Sequence, residues 1–258
     1  MNHAQQREFL IRRLLEESPR YAGMEIPAAQ DEQRQLLRAL MNVRPPAPVD
    51  EAFLTVQDAY LQEAAAEKGI TALEDLRPVT DGVYLWRGDI TTLRCDAIVN
   101  AANSGMTGCY QPCHSCIDNC IHTYAGIQLR NACARLMKEQ GHEEPTGQAK
   151  ITPAYNLPCR YVIHTVGPIV SGRLTERHEA LLASCYRACL DMAAQNRCES
   201  IAFCCISTGV FGYPQQEAAR TAIRTVQEWR SETGSSMKII FNVFKPEDEG
   251  IYRALLGG

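Results

Sequence analysis

The chain has 258 residues, of which 45% are hydrophobic and 22% charged, a balance typical of globular proteins and not of disordered or collagen-like ones. Its formal net charge of −4 argues against the basic surface of a nucleic-acid-binding protein. No apolar run approaches the ~18 residues of a membrane span, and the first residues lack the apolar core of a signal peptide. We therefore expect a cytoplasmic protein without nucleic-acid or membrane partners.

The length predicts one main domain with an appendage. Residues 1–80 carry amphipathic helical patterns and predict an N-terminal helical extension, which leaves residues 81–258 for the main domain. The patterns are Phe9, Leu10, Leu14 and Leu15, then Leu36, Leu37, Leu40 and Met41, then Phe53, Leu54, Tyr60 and Leu61. No heptad run indicates a dimer, so we expect a monomer.

From residue 83 onward, short β-rich runs alternate with longer helical ones. The predicted strands cover residues 83–86, 96–99, 150–153, 161–166, 200–206 and 238–243. The predicted helices cover residues 117–138, 176–194, 215–231 and 247–256. This alternation favours an α/β/α sandwich with a largely parallel sheet, whose ligand site lies at the carboxyl ends of the strands.

Polar residues follow the first two of these strands. Asp89, in Arg87-Gly88-Asp89-Ile90, could accept a hydrogen bond from an amine of a ligand or could cap a turn. The segment Asn100-Ala101-Ala102-Asn103 offers two amides and small residues that allow a ligand to approach the backbone, but it could equally be an ordinary Asx turn. Neither segment by itself shows whether it binds a ligand or only forms a turn.

A Cys/His segment follows at residues 108–122. All twelve cysteines of the chain lie between Cys95 and Cys205, and we expect reduced thiols in a cytosolic protein. Four cysteines and two histidines fall between Cys109 and His122, a density that favours zinc over disulfides. Cys109, His114 and Cys116 could form an open three-ligand site, and Cys113 could close it as a fourth ligand.

A loop rich in glycine and hydroxyl groups, residues 206–214, lies between a predicted strand and a predicted helix. Its backbone N–H groups could bind a phosphate or diphosphate, although a plain connecting loop is the alternative. It lacks the Gly-Lys-Ser/Thr ending of a Walker loop.

These segments together resemble the macrodomain family of ADP-ribose-binding and ADP-ribose-hydrolysing proteins, over roughly residues 83–256. The motifs, in chain order, are Gly88-Asp89-Ile90, Asn100-Ala101-Ala102-Asn103, Ile117-Asp118-Asn119-Cys120-Ile121-His122, Ile163-His164-Thr165-Val166-Gly167-Pro168 and Ser207-Thr208-Gly209-Val210-Phe211-Gly212. The resemblance implies a three-layer α/β/α macrodomain with a mixed, largely parallel sheet. The Cys/His segment stands where ordinary hydrolytic macrodomains have a run of glycines, which resembles the zinc-containing macrodomain class with its helical N-terminal extension.

The resemblance also implies roles for individual residues. Asp89, with Ile90 beside it, matches the position that binds the adenine amine. Asn103 matches a contact to the distal ribose, and Asp118 matches an aspartate that orients water or substrate, so these two are the predicted catalytic residues. The predicted diphosphate and ribose loop consists of Ser207, Thr208, Gly209, Val210, Phe211, Gly212 and Tyr213. The implied ligands of one Zn²⁺ per chain are Cys109, His114 and Cys116, with Cys113 uninvolved.

The implied activity is zinc-dependent hydrolysis that removes mono-ADP-ribose from modified protein side chains. ADP-ribose and mono-ADP-ribosylated protein are the partners this predicts. Two alternatives stay open: a non-catalytic ADP-ribose reader whose zinc is structural, and a deacetylase of O-acetyl-ADP-ribose.

Overall fold

A mixed sheet of seven strands forms the centre of the molecule, which a computed structural model describes over residues 1–257. The order across the sheet is β2-β3-β9-β8-β5-β7-β6. The strands are β2 (Pro78–Thr80), β3 (Val83–Arg87), β5 (Ala97–Ala101), β6 (Ala149–Pro153), β7 (Tyr161–Thr165), β8 (Ser200–Phe203) and β9 (Lys238–Val243), with β1 (Thr71–Ala72) and β4 (Leu93–Arg94) forming a separate parallel pair. The five inner strands of the large sheet are parallel, and the two edge strands are antiparallel to their neighbours.

Helices cover both faces of the sheet. The helices of this domain are α4 (Ile117–Ala125), α5 (Ile127–Gln140), α6 (Glu176–Gln195), α7 (Gln215–Thr233) and α8 (Pro246–Leu256). In one layer α7 packs against both α6 and α8, while α4 and α5 contact strands β5 and β6. The inner strands are apolar because parallel strands are covered on both faces, and every residue of β8 is buried. The predicted three-layer α/β/α fold is confirmed.

Three further helices form the N-terminal extension, namely α1 (His3–Glu16), α2 (Gln30–Val43) and α3 (Glu51–Lys68). Their apolar faces meet in a core of their own, in which Leu10, Leu37 and Phe53 are almost fully buried. Ile127 at the start of α5 completes this small core. Asp50 caps α3 by accepting a hydrogen bond from the Phe53 amide at 2.8 Å. The extension thus packs as a separate helical layer against α4 and α5.

The structure differs from the predicted elements in several places. The single helix predicted over residues 117–138 is wrong, because Gly126 separates α4 from α5 with a φ of +95°. The short strands β1, β2 and β4 were not predicted, since two or three residues are too few for a periodic pattern. The division of the chain at residue 80 stays a prediction. Strand β2, which precedes this division, already pairs with β3 of the main sheet. The last residue of the predicted main domain, Gly258, lies outside the described residues. None of the described helices combines the length and the apolarity that a bilayer crossing requires.

Candidate active site

The carboxyl ends of the parallel strands bring the predicted site segments to one edge of the sheet. Asp89 follows β3, Asn103 follows β5, and Ser207 follows β8. These strands lie in one parallel set, so the loops that leave them emerge on the same side. The fold therefore places the segments where an α/β ligand site is expected.

Asp118 is the buried carboxylate of this edge. It lies in the first turn of α4, and two amides at the end of β5 hold it: Asn100 Nδ2 donates to Oδ1 at 2.8 Å, and Asn103 Nδ2 donates to Oδ2 at 3.1 Å. Burial raises the pKa of Asp118 to about 6, against the opposing effects of the Asn100 hydrogen bond, the Arg130 charge and the Asn103 hydrogen bond. The structure thus joins the two predicted catalytic residues directly.

His164 lies beneath this carboxylate on β7. Its Nδ1 is 3.1 Å from Asn100 Nδ2, and its Nε2 is 2.9 Å from Thr152 Oγ1. An Nδ1 that accepts from the amide leaves the ring proton on Nε2, where it donates to the threonine. Burial lowers the pKa of His164 to about 3, so the ring is neutral near pH 7. His164 therefore orients Asn100, which in turn orients Asp118.

His122, one turn after Asp118 on α4, is fully enclosed beside the same carboxylate. Its Nε2 is 3.6 Å from Asp118 Oδ1, and neither ring nitrogen has a hydrogen-bond partner within residues 1–257. Burial holds the pKa of His122 well below its ordinary value, so this contact is not an ion pair. Gly108 packs on the ring with a φ of +87°, and a Cβ there would lie 2.8 Å from His122 Cγ. Only glycine lets the chain pass so close to the histidine.

Asp89 caps a turn, as one of its two predicted interpretations has it, and its role in binding a ligand amine stays a prediction. Its Oδ1 accepts from the backbone N of Thr91 at 3.0 Å and caps the short 3₁₀ turn that begins at Ile90. Its Oδ2 accepts from Lys68 Nζ at 3.2 Å, yet the side chain is still 38% exposed. A carboxylate oxygen has a second lone pair, so Asp89 can accept a further hydrogen bond from a ligand amine. Ile90 itself is buried in the core.

The loop after β8 presents backbone N–H groups to the same edge. Ser207 adopts a φ of +66°, and its carbonyl accepts from the Tyr213 amide at 3.0 Å, which closes the loop on itself. Within the described chain, no carbonyl or side chain accepts from the amides of Gly209, Val210 or Phe211. Such free amides ahead of α7 suit an anion. Val210 is 82% exposed at the tip of this loop.

Ser207 also has an enclosed hydroxyl. Its Oγ is buried without a hydrogen-bond partner among residues 1–257, and it packs against Gly167, where a Cβ would lie 2.0 Å from that oxygen. Gly167 thus makes room for the serine. A buried hydroxyl of this kind is satisfied when a polar ligand or water reaches it.

The three predicted metal ligands converge on one point. The Sγ atoms of Cys109 and Cys116 and a ring nitrogen of His114 all lie within 4.8 Å of one another. Cys109 Sγ is 3.6 Å from His114 Nδ1, which matches the ~3.6 Å expected between sulfur and nitrogen on a tetrahedral zinc. Cys113 Sγ points elsewhere, to the carbonyl of Gln35 at 3.4 Å. The donor set and its geometry therefore fit a three-ligand zinc site, and zinc binding stays a prediction.

Cys116 also begins helix α4. It occupies the N-cap position, where its Sγ accepts from the Asn119 amide at 3.5 Å. The positive end of the helix dipole favours a thiolate at this position, but burial raises the pKa of the Cys116 thiol to about 12, so the thiol is protonated near pH 7 when no metal is bound. Asp118 lies two residues further along the same helix, so the buried carboxylate is fixed relative to Cys116, one member of the Cys/His triad of Cys109, His114 and Cys116. All twelve cysteines are free thiols in the structure.

Some residues of the site were not predicted individually. Asn100 belonged to the predicted motif but was not assigned a role, and its contacts to both Asp118 and His164 make it the organising amide. Lys68 belongs to the extension, and besides Asp89 it contacts the face of the Tyr124 ring, 3.3 Å from the centroid. No motif in the sequence signals Lys68, because its position depends on how α3 packs against the main domain.

Comparison with known proteins shows which family the chain belongs to. The family model described as Macro domain matches residues 99–222. A protein-ADP-ribose hydrolase of Treponema medium is 62% identical over 260 residues, covering 99% of this chain and 100% of that protein. The chain belongs to the macrodomain family. A second protein-ADP-ribose hydrolase, from Staphylococcus aureus strain MSSA476, is 47% identical over 248 residues, with coverage of 95% and 93%.

Solved macrodomain structures agree with this assignment. The Trypanosoma brucei macrodomain in complex with ADP-ribose has a TM-score of 0.67 at 31% identity and covers 85% of this chain and 95% of its own. The Oceanobacillus iheyensis macrodomain with ADP has a TM-score of 0.63 at 36% identity, with coverage of 70% and 94%.

The match to the Treponema medium relative includes the N-terminal extension, since it covers 99% of this chain.

Proposed function

We propose that this macrodomain hydrolyses the bond between ADP-ribose and a protein side chain, releasing ADP-ribose from mono-ADP-ribosylated protein. One observation carries the proposal: Asp118 is a buried carboxylate fixed by Asn100 and Asn103 next to the Cys/His triad, on the strand edge where a macrodomain binds its ligand. The near-full-length identity to proteins named protein-ADP-ribose hydrolases supports the same activity.

Each segment of the site has a part in binding. Asp89 accepts a hydrogen bond from the adenine amine, and the free amides of the loop from Ser207 to Tyr213 bind the diphosphate. The distal ribose then lies toward Asn103 and Asp118, where the Cys/His triad adjoins it. In this orientation the bond to be broken faces residues 108–122. Among the described site segments, this is the one that has both thiol and carboxylate groups.

The reaction replaces the protein side chain with water at C1 of the distal ribose. The C1 bond to the side chain breaks through an oxocarbenium-like transition state, the water oxygen bonds to C1, and the side chain leaves with a proton. Asp118 orients the water and attracts its proton, since its raised pKa of about 6 makes it a stronger base than an ordinary aspartate. Asn103 holds both the carboxylate and the carbonyl of Gly108, which keeps the loop against the ribose.

We further propose that the hydrolysis depends on zinc. Cys109, His114 and Cys116 would hold one Zn²⁺, and when bound the ion supplies a Lewis-acid position beside the distal ribose. With the Cys113 thiol directed to Gln35, the protein would supply three ligands, the number found in catalytic zinc sites. The same donor set supports our proposal that the chain is of the zinc-containing class.

The test is release of ADP-ribose from mono-ADP-ribosylated protein by enzyme whose zinc content is measured. We expect turnover with about one zinc per chain, lost on chelation and in Cys116→Ala, and retained in Cys113→Ala, whose thiol contacts Gln35 instead of the triad. Turnover that survives chelation would leave a hydrolase without zinc dependence. Binding of ADP-ribose without turnover in every sample would favour a reader, and faster turnover of O-acetyl-ADP-ribose would favour a deacetylase.

A further inference from the structure

One face of helix α2, in the N-terminal extension, lies against residues 108–116, here called the Cys/His loop. Gln35, Arg38 and Asn42 of this helix all contact the loop. Their spacings of three and four residues place them on a single helical face. The Cys/His loop has no helix or strand of its own, so its conformation depends on such external contacts.

Arg38 joins the Cys/His loop to the start of α4. Its Nη2 donates to the carbonyl of His114 at 2.7 Å and to Asn119 Oδ1 at 3.0 Å, and it lies 3.6 Å from Cys120 Sγ. Asn119 in turn donates to the carbonyl of Gln111 at 2.9 Å. The Arg38 guanidinium therefore fixes the backbone of His114 relative to helix α4, which begins at Cys116.

Asn42 holds the loop at the residue before His114. Its side chain is 1% exposed; Oδ1 accepts from the Cys113 amide at 2.9 Å, and Nδ2 donates to Thr123 Oγ1 at 2.9 Å. Cys113 has a φ of +54°, a left-handed backbone conformation that residues other than glycine seldom adopt. The hydrogen bond from its amide to Asn42 keeps Cys113 in this turn, which directs His114 toward the two thiols.

Helix α2 is itself anchored to the macrodomain by Arg130. Nη1 of this buried arginine donates to the carbonyls of Met41, Asn42 and Arg44 at 3.1, 2.7 and 2.6 Å. Its Nε donates to the carbonyl of Thr107 at 2.7 Å, immediately before the Cys/His loop. The carboxyl end of α2 and the beginning of the loop are thus fixed to one side chain of α5.

We propose that α2 positions the Cys/His loop for metal binding, with Arg38 and Asn42 as the positioning residues. The inference rests on the proposed zinc site and adds a function for the extension. A loop held in its ligating geometry before the metal arrives loses less conformational freedom on binding, so its affinity for the metal is higher. Removing the Arg38 contacts should free the loop without changing a ligand.

The first measurement needs no metal and no substrate. Hydrogen–deuterium exchange is followed in the chelated full chain for wild type, Arg38→Ala, Asn42→Ala and the control Arg34→Ala, whose exposed side chain on the same helix pairs with Asp31. We expect amides 109–116 to exchange at least about tenfold faster in the first two variants and at the wild-type rate in the control. Unchanged exchange in strand β5 verifies that each variant is folded.

The second measurement is zinc affinity by competition with a chromophoric chelator. We expect Arg38→Ala to bind zinc about tenfold more weakly than Arg34→Ala, and Arg38→Lys to recover part of the loss because an ammonium can still reach one acceptor. Wild-type loop exchange together with wild-type zinc affinity in both Arg38→Ala and Asn42→Ala would overturn the proposal. A wild-type chain that neither binds zinc nor hydrolyses substrate would instead overturn the proposed function, and the exchange data would still decide the role of α2.

Discussion

At the scale of single residues, the site depends on amide side chains that orient charged or titratable groups. Asn100 connects Asp118 to His164, and Asn103 connects Asp118 to the carbonyl of Gly108. An amide carries no charge, so it can fix a carboxylate in a buried place without neutralising it. Asp118 therefore stays a base while its two oxygens are held in one orientation.

Replacing Asp118 with asparagine tests this interpretation. Asp118→Asn should lower kcat by about 10²-fold, since a neutral amide cannot attract a proton from water. Affinity for ADP-ribose, measured by calorimetry, should change little, because the adenine and diphosphate contacts lie elsewhere in the site. Wild-type kcat in Asp118→Asn would contradict the assigned role, and lost ADP-ribose binding would indicate a disturbed pocket instead.

The site residues predicted from the sequence lie in contiguous motifs that either follow a strand end or lead into the start of helix α4. Asp89, Asn103, Asp118 and the loop from Ser207 to Tyr213 all lie at the expected sheet edge. Arg38, Asn42 and Lys68 contact site residues that lie 21 to 81 positions away in the chain. Their contacts depend on the packing of the extension, and neither spacing nor residue type shows that packing in advance.

At the scale of elements, short apolar runs predicted the inner strands well, because β5, β7, β8 and β9 are buried on both faces; β3 is only partly buried. Among the predicted helices, the boundary between α4 and α5 was missed, because the helical pattern continues through Gly126. This glycine has a φ of +95°, and a Cβ there would lie 2.6 Å from Gln128 Oε1 and 2.7 Å from Gln57 Nε2. Glycine is the residue that most readily ends a helix at a positive φ, and here the side chains of Gln128 and, from the extension, Gln57 occupy the space that a Cβ would need.

Gly126→Ala should therefore destabilise the fold. We expect the free energy of unfolding to fall by about 1–3 kcal/mol, because alanine is strained at a positive φ and its methyl group meets the two glutamine side chains. Urea unfolding gives the value. Gly250→Ala is the matched control: this glycine lies within α8 with open space around it, so alanine should be neutral or stabilise by up to about 1 kcal/mol. Equal losses in both variants would refute the explanation.

At the scale of the whole molecule, the extension and the macrodomain have separate apolar cores joined by buried polar contacts. Gln57 of α3 is 0% exposed, and its Oε1 accepts from the Ile127 amide at 3.0 Å, which satisfies an amide at the start of α5. Arg130 of α5 supplies the reverse contact to the end of α2. If either half unfolded alone, these hydrogen bonds would be lost and the surfaces that they join would be exposed to water, at a cost of about 1 kcal/mol for each hydrogen bond.

This coupling predicts that the two halves unfold together. Both tryptophans of the chain, Trp86 and Trp229, lie in the macrodomain, so their fluorescence reports on that half alone. Far-UV circular dichroism also reports on α1, α2 and α3. In urea, with the metal chelated, the two signals should give one coincident transition. If the helical signal were lost at a lower urea concentration than the tryptophan signal, the extension would be an independent unit, and its hold on the Cys/His loop would be reversible within the folded macrodomain.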